Sequence, residues 1–218
     1  SYSTVYYLKW ALHSMKEGQR NNLMWAVQNL KEAVSKDSLG KGQFDHNKQE
    51  DAKDFLLRIL RDIEDIDKYT EEKVKAMFNF ELRQVTAING QYSPTTTNET
   101  MRELRVRYPK DRYNLKYPFN YCRISEVIST TLESSQIQTD NGQATIKSTF
   151  LQVPRILLIS FSKTDIQNRT DDIQIETEIG IEVEKKDRWG GLSSEYTKYE
   201  LKSIVKHYGT HNVGYYYV

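Results

Sequence analysis

The sequence predicts an α+β domain, on three observations. Apolar residues recur at three- and four-residue spacing up to about residue 80. Beyond Phe80 the chain turns to short runs of β-branched and aromatic residues, one of them alternating strictly with polar residues. The helices all precede the strands, which favours a helical lobe on an antiparallel sheet over an alternating α/β layout.

The elements follow in order. Leu8, Ala11, Leu12 and Met15 mark a first helix, and Leu23, Val27, Leu30 and Val34 a second. The break Ser38-Leu39-Gly40-Lys41-Gly42 separates them from a stronger third pattern. There Ala52, Phe55, Leu56, Ile59, Leu60 and Ile63 form one apolar face, with Asp51 and Asp54 in the early turns. A fourth helix is expected over about 70–78, capped by Thr70, with Glu71 and Glu72 near its positive end. Strands are expected over 82–88, 101–106, 149–153, 155–161, 173–183, 199–207 and 213–218. Ile156 to Ile159 is continuously apolar, so that strand is expected to be central and covered on both faces.

Composition narrows the function classes. The chain has 218 residues, 31 Lys+Arg against 30 Asp+Glu, 38% hydrophobic residues and a mean hydropathy of −0.72. It is polar, yet 15 Tyr, 7 Phe and 3 Trp provide bulky side chains for a core. Balanced charge gives no long-range field for nucleic acid or an anionic membrane. No apolar run approaches the roughly 20 residues of a spanning helix, and no signal peptide is read at Ser1. The single cysteine, Cys122, excludes an internal disulfide framework and a Cys-rich zinc site.

Several stretches, in order, resemble the ubiquitin-specific protease family of deubiquitinases. Gln49-Glu50-Asp51-Ala52-Lys53-Asp54-Phe55-Leu56 is similar to its Q-Q-D-A-x-E-F-L helix. Ala144 to Lys147, followed by Leu151-Gln152-Val153-Pro154-Arg155-Ile156-Leu157-Leu158-Ile159-Ser160-Phe161, resembles its A-x-K through L-P-x-x-L segment. Tyr199-Glu200-Leu201, then His207-Tyr208-Gly209 and Gly214-Tyr215-Tyr216, resemble Y-x-L, H-x-G and G-H-Y. Phe80, Glu99 and Leu104 fit weaker positions. The resemblance implies a papain-like cysteine-protease fold. A helical thumb lobe over about 1–80 packs on an antiparallel β palm over about 81–218, with reduced, zinc-free fingers, as one domain incomplete at both ends.

The family's chemistry implies a cysteine at the start of the first helix, where the dipole favours thiolate, and a histidine base oriented by Asp or Asn. Setting Ser3-Thr4-Val5-Tyr6-Tyr7-Leu8 against G-N-T-C-Y-L places Tyr6 at the nucleophile, and a one-residue slip places Val5 there. Tyr215 replaces the histidine of G-H-Y; a phenol, with an ordinary pKa of about 10, is a poor base at neutral pH. The orienting acid falls beyond Val218, and the oxyanion-stabilising Asn aligns with Ser1. The family's two C-x-x-C zinc pairs align with Thr86 and Asn89, and with Ser135 and Gln138. No cofactor or metal is therefore expected.

Other candidates read more plainly. Cys122 has no predicted helix start or histidine neighbour and is expected to be a half-buried structural thiol. His207 and His211 have i,i+4 spacing but fall at a strand end and loop, and His207 matches H-x-G. Asp62, Glu64, Asp65 and Asp67 read as a solvated acidic face. Tyr117-Pro118-Phe119-Asn120-Tyr121 reads as a packed edge or partner contact rather than a base-stacking platform. Asp51 is the candidate for the channel that takes the ubiquitin tail, an ordinary helix-start Asp being the competing reading. The expectation is an inactive, intracellular ubiquitin-specific-protease-like domain that binds other proteins, in a large assembly, with no direct base readout and no membrane. Tyr6 and Tyr215 are expected to meet across the former cleft. Non-catalytic ubiquitin binding is the alternative, and an active deubiquitinase or an unrelated enzyme in the same cleft is the remaining one.

Overall fold

Helices form where the apolar spacing places them, although their buried faces are turned from those expected. The computed structural model describes residues 2–36, 51–88, 94–106, 122–133, 135–139, 142–161, 173–186, 188–209 and 214–217; for 122, 135–139, 142, 207–209 and 214–217 the backbone alone is described. The chain divides into two compact units, Ser1–Ala76 with Ser203–Val218, and Met77–Lys202.

The elements run α1 (Tyr2–Lys16), α2 (Arg20–Ser35), α3 (Ala52–Glu64), α4 (Lys68–Phe78), β1 (Phe80–Ile88), β2 (Thr95–Met101), β3 (Glu103–Val106) and β4 (Cys122–Arg123). After these come α5 (Ile124–Glu133), β5 (Ser135–Thr139), β6 (Gly142–Gln152), β7 (Leu158–Phe161), β8 (Ile173–Gln174), β9 (Glu178–Lys186), β10 (Leu192–Glu200), β11 (Lys206–Gly209) and β12 (Gly214–Tyr217).

In the first unit α1 and α2 form a hairpin. Gly18 takes a φ of 66°, Gln19 N–H donates to the Ser14 carbonyl at 2.9 Å and Gly18 N–H to that of Met15 at 3.2 Å. This is the Schellman closure that a left-handed glycine permits. Ala11 is buried on α1, but Leu12 and Met15 are exposed and Thr4 and Ser14 are buried instead. On α2 the stripe is Ala26, Leu30 and Val34, leaving Val27 exposed. Leu30, Val34 and Ile59 make the small core, with Tyr7, Leu8, Phe55 and Ile63 against it. Leu56, expected on the apolar face of α3, is exposed. The cap of α4 is Asp67 rather than Thr70: the Thr70 N–H donates to Asp67 Oδ1 at 2.7 Å. That bond holds the Asp67 carboxyl below the usual carboxylate range. β11 and β12 pair antiparallel, Lys206 opposite Tyr217.

The second unit centres on a six-stranded sheet of order β10-β9-β6-β1-β2, with β5 also pairing with β6. β1–β2, β1–β6, β5–β6 and β9–β10 pair antiparallel, but the joins β6–β9, β3–β7 and β4–β8 are parallel. Phe80, Leu82, Phe150, Ile181 and Val183 from the sheet pack with Leu104, Val106, Ile124, Val127 and Ile128 in the larger core. Phe80 and Phe150 meet at 5.3 Å between ring centroids. On β1, Arg83 reaches across β6 to grip both oxygens of Glu184 on β9.

Several expected strands are cut differently. The stretch 101–106 breaks at Arg102, so β2 and β3 lie in different sheets. The apolar run near Ile156 is not a central strand: Arg155 and Ile156 bend, and only Leu158–Phe161 pairs, with β3. The stretch 173–183 breaks after Gln174, and 199–207 breaks after Glu200. α5, which the local residue types do not predict, starts two residues after Cys122.

Candidate functional site

Tyr6, which the resemblance leads one to expect at the nucleophile position, falls in the body of a helix. Tyr6 is the fifth residue of α1, and Val5, the one-residue alternative, is the fourth. A helix leaves its first four N–H groups unsatisfied, and those donors are what stabilise a thiolate. Tyr6 lies past them. Its side chain is 55% exposed and stacks on Trp10 at 6.3 Å, with an interplanar angle of 25°. Tyr7 meets Tyr6 edge-on at 5.2 Å and Trp25 at 5.6 Å, and Trp10 meets Trp25 at 6.2 Å. Position 6 thus belongs to a four-ring aromatic cluster joining α1 to α2. Such a cluster offers contact area and ring quadrupoles.

α1 also joins α3 through a polar network that sequence reasoning missed. Asp62, expected on a solvated acidic face, is 0% exposed. The Thr4 hydroxyl donates to Asp62 Oδ2 at 2.5 Å, and Arg58 Nε donates to Oδ1 at 3.1 Å. Arg58 is buried too. A buried carboxylate is tolerated only with such charge-assisted donors around it. The signal was present in the spacing: Asp62 stands seven residues after Phe55 and three after Ile59, on the stripe that α3 buries. Two others of the acidic run stand at helix ends. Asp65 is the C-cap residue of α3, and Asp67 caps α4.

Asp51 sits at the N-cap of α3, half-buried, and its Oδ1 accepts the Lys53 N–H at 3.0 Å. The helix-start reading of this residue accounts for that geometry. The adjoining Gln49 and Glu50 lie outside the described residues.

Of the positions expected from the resemblance to match the zinc pairs, Thr86 lies on β1 opposite Ile146 of β6, and Ser135 on β5 faces the same Ile146 from the other side. The two therefore share one row of the sheet, two strand spacings apart, about 9.6 Å. Gln138 pairs with Gln143 three residues further along β5. Asn89 lies outside the described residues. Among the described residues no three His, Cys, Asp or Glu side chains converge as metal ligands.

Tyr215 is placed by its backbone alone, on β12 opposite Tyr208 of β11. The expected meeting of the Tyr6 and Tyr215 rings therefore lies outside the described residues, as do Ser1, His211, the 38–42 break and the 117–121 stretch. Cys122 pairs through its backbone with Ile173, and the α5 start just after it corrects the expectation that no helix begins there. Ser125 N–H, in the first turn of α5, donates to Glu176 at 3.0 Å. Among the described residues no helix is long and apolar enough to cross a membrane.

Comparison with known proteins agrees with this architecture. No curated protein sequence matches the chain. Among solved structures, the SAGA Ubp8/Sgf11/Sus1/Sgf73 DUB module bound to ubiquitin aldehyde superposes with a TM-score of 0.60 at 17% identity, over 88% of this chain and 45% of that one. The same module with a Cys-to-Ala substitution in Ubp8, bound to monoubiquitin, gives 0.67 at 15% identity, over 98% and 50%. This chain thus spans about half the length of each. At these identities the likeness is one of fold. The sequence profile of the ubiquitin carboxyl-terminal hydrolases matches residues 4–218, nearly the whole chain, and the protein belongs to that family.

Proposed function

We propose that the chain is a catalytically inactive ubiquitin-specific-protease-like domain that works as a protein-binding or scaffolding module in a multi-subunit, intracellular assembly. The observation that carries this is Tyr6. The residue aligned with the family's nucleophile is an exposed aromatic in the body of α1, stacked on Trp10 and unable to form a thioester. The Tyr215 alignment and the absence of cysteine at the aligned zinc positions support the same reading. A binding role suits the structural neighbours, which were solved with partner subunits and with ubiquitin.

The test is reaction with a ubiquitin carrying a C-terminal electrophile, followed by cleavage of a fluorogenic ubiquitin amide. No adduct and no turnover above buffer are expected. An adduct on any residue, or turnover, overturns the reading. A second reading, non-catalytic ubiquitin binding, is favoured by the retained acid at Asp51. Titration with monoubiquitin separates the two: saturable binding weakened by Asp51→Asn supports it, and no binding leaves the scaffold.

A further inference from the structure

We infer that the exposed α1–α2 face around Tyr6, Trp10 and Trp25 is a docking surface for an acidic, amphipathic segment of a partner protein. The inference rests on the non-catalytic reading above and names the chemistry of the partner.

Exposed aromatics of this kind are scarce on proteins that stand alone. Tyr6, Trp10 and Trp25 are 55%, 38% and 49% exposed, and they touch one another in one continuous surface. Monomeric proteins rarely leave large contiguous apolar patches open, and Trp and Tyr are the residues that dominate binding energy where such patches meet a partner. Rings already locked against each other lose little freedom on binding, so the surface is pre-organised.

Charge decides the class of occupant. The whole chain is nearly neutral, at +1, but residues 2–36 hold five Lys and Arg against two Glu. Lys9, His13 and Lys16 follow Tyr6 along the exposed side of α1, which has no carboxylate at all. Of the two glutamates, Glu17 is in the turn and Glu32 is paired with Lys36 at 3.2 Å. The face is therefore apolar at one end and cationic beside it. A helix with apolar anchors at i, i+4 and i+7 and carboxylates between them matches both features. A polynucleotide matches less well. The Tyr7–Trp25 and Trp10–Trp25 contacts are edge-to-face, at 71° and 74°, so these rings pack into the protein instead of standing as parallel platforms for bases.

The test uses the full 218-residue chain. Two synthetic helical peptides share Leu and Trp anchors and differ only in having Glu or Lys at every polar position; oligo-dT is the third probe. Binding is read by anisotropy of labelled probes. The Glu peptide is expected to bind saturably and at least about tenfold tighter than the Lys peptide, with affinity falling as salt rises. Lys9→Glu with Lys16→Glu, both on exposed positions, is expected to weaken it about tenfold. Trp10→Ser is expected to weaken it about thirtyfold, as loss of a central aromatic anchor does. Equal binding of both peptides, preference for oligo-dT, self-association that buries the face, or an unchanged affinity in the charge-reversed variant overturns the inference. Failure of the proposed function shows separately, as labelling by the ubiquitin electrophile, which none of these probes reports.

Discussion

Asp62→Ala is the sharpest test of how the first unit holds together. The substitution removes the acceptor to which both the Thr4 hydroxyl and Arg58 Nε donate, at 2.5 and 3.1 Å, from a site with no solvent exposure. Breaking a buried ion pair by removing one partner costs about 3–5 kcal/mol, because the remaining charge stays buried in a poorer setting. Thr4→Val tests one arm alone. A hydrogen bond to a charged group contributes about 1.5–3 kcal/mol, so this variant is expected to cost that much in the native background and little once Asp62 is gone. The triple variant combining Thr4→Val, Arg58→Met and Asp62→Leu is expected to recover most of the loss, since an apolar set of similar volume needs no desolvated charge. The assay is urea unfolding followed by tryptophan fluorescence in a Trp189→Phe background, so that Trp10 and Trp25 report the first unit. With a slope of about 2 kcal/mol per M, Asp62→Ala is expected to lower the midpoint by about 1.5–2.5 M. A cost below about 1 kcal/mol, or full additivity of Thr4→Val and Asp62→Ala, would refute the network.

Three further outcomes are expected. Tyr6→Cys, in a Cys122→Ser background, is expected to give a thiol of near-ordinary pKa, about 8.5, because position 6 lies past the free N–H groups of α1; alkylation rate against pH reads it, and a pKa below about 7 contradicts the placement. Phe80→Ala removes a ring that is 1% exposed and packed on Phe150, and is expected to cost the second unit about 3–5 kcal/mol in denaturant unfolding. The Asp67 cap is expected to follow pH as a depressed carboxylate does. Its contribution is complete above the ordinary aspartate value of about 3.9 and is lost as pH falls through the lower folded value; hydrogen exchange at the start of α4, compared between native and Asp67→Ala chains, reads it, and identical pH profiles contradict it.

The first three helices were legible because three- and four-residue spacing survives in the sequence whatever the tertiary context; the fourth was read from its acidic first turn, with the cap set at Thr70 instead of Asp67. Their faces were less so. Leu12, Met15 and Val27 are apolar by type yet exposed, while Thr4, Ser14, Arg58 and Asp62 are polar yet buried. Residue type alone cannot show a polar group that gains its partners only from another helix. Strand interruptions were hidden for a related reason. Met101 to Val106 reads as one β-rich run, and the bend at Arg102, whose side chain donates to Asn79, assigns its two halves to different sheets. α5 was missed because β-branched Ile, Val and Thr, which favour strands locally, make up half of it, although Ile124, Val127 and Ile128 keep helical spacing. At the candidate site, the resemblance alone draws attention to position 6. Its depth within α1 and its stacking on Trp10 needed coordinates.

The discontinuity of the first unit has a consequence for biosynthesis. Met77–Lys202 is one contiguous stretch, whereas its companion is built from Ser1–Ala76 and Ser203–Val218. During synthesis the helices emerge before the intervening stretch, and the Ser203–Val218 segment grouped with them emerges after it. Domains tend to fold as units while the chain grows. The contiguous unit can therefore gather all its strands before the last segment of its discontinuous companion has been made. That interval is when exposed Trp10 and Trp25 leave the nascent helices open to non-native contacts.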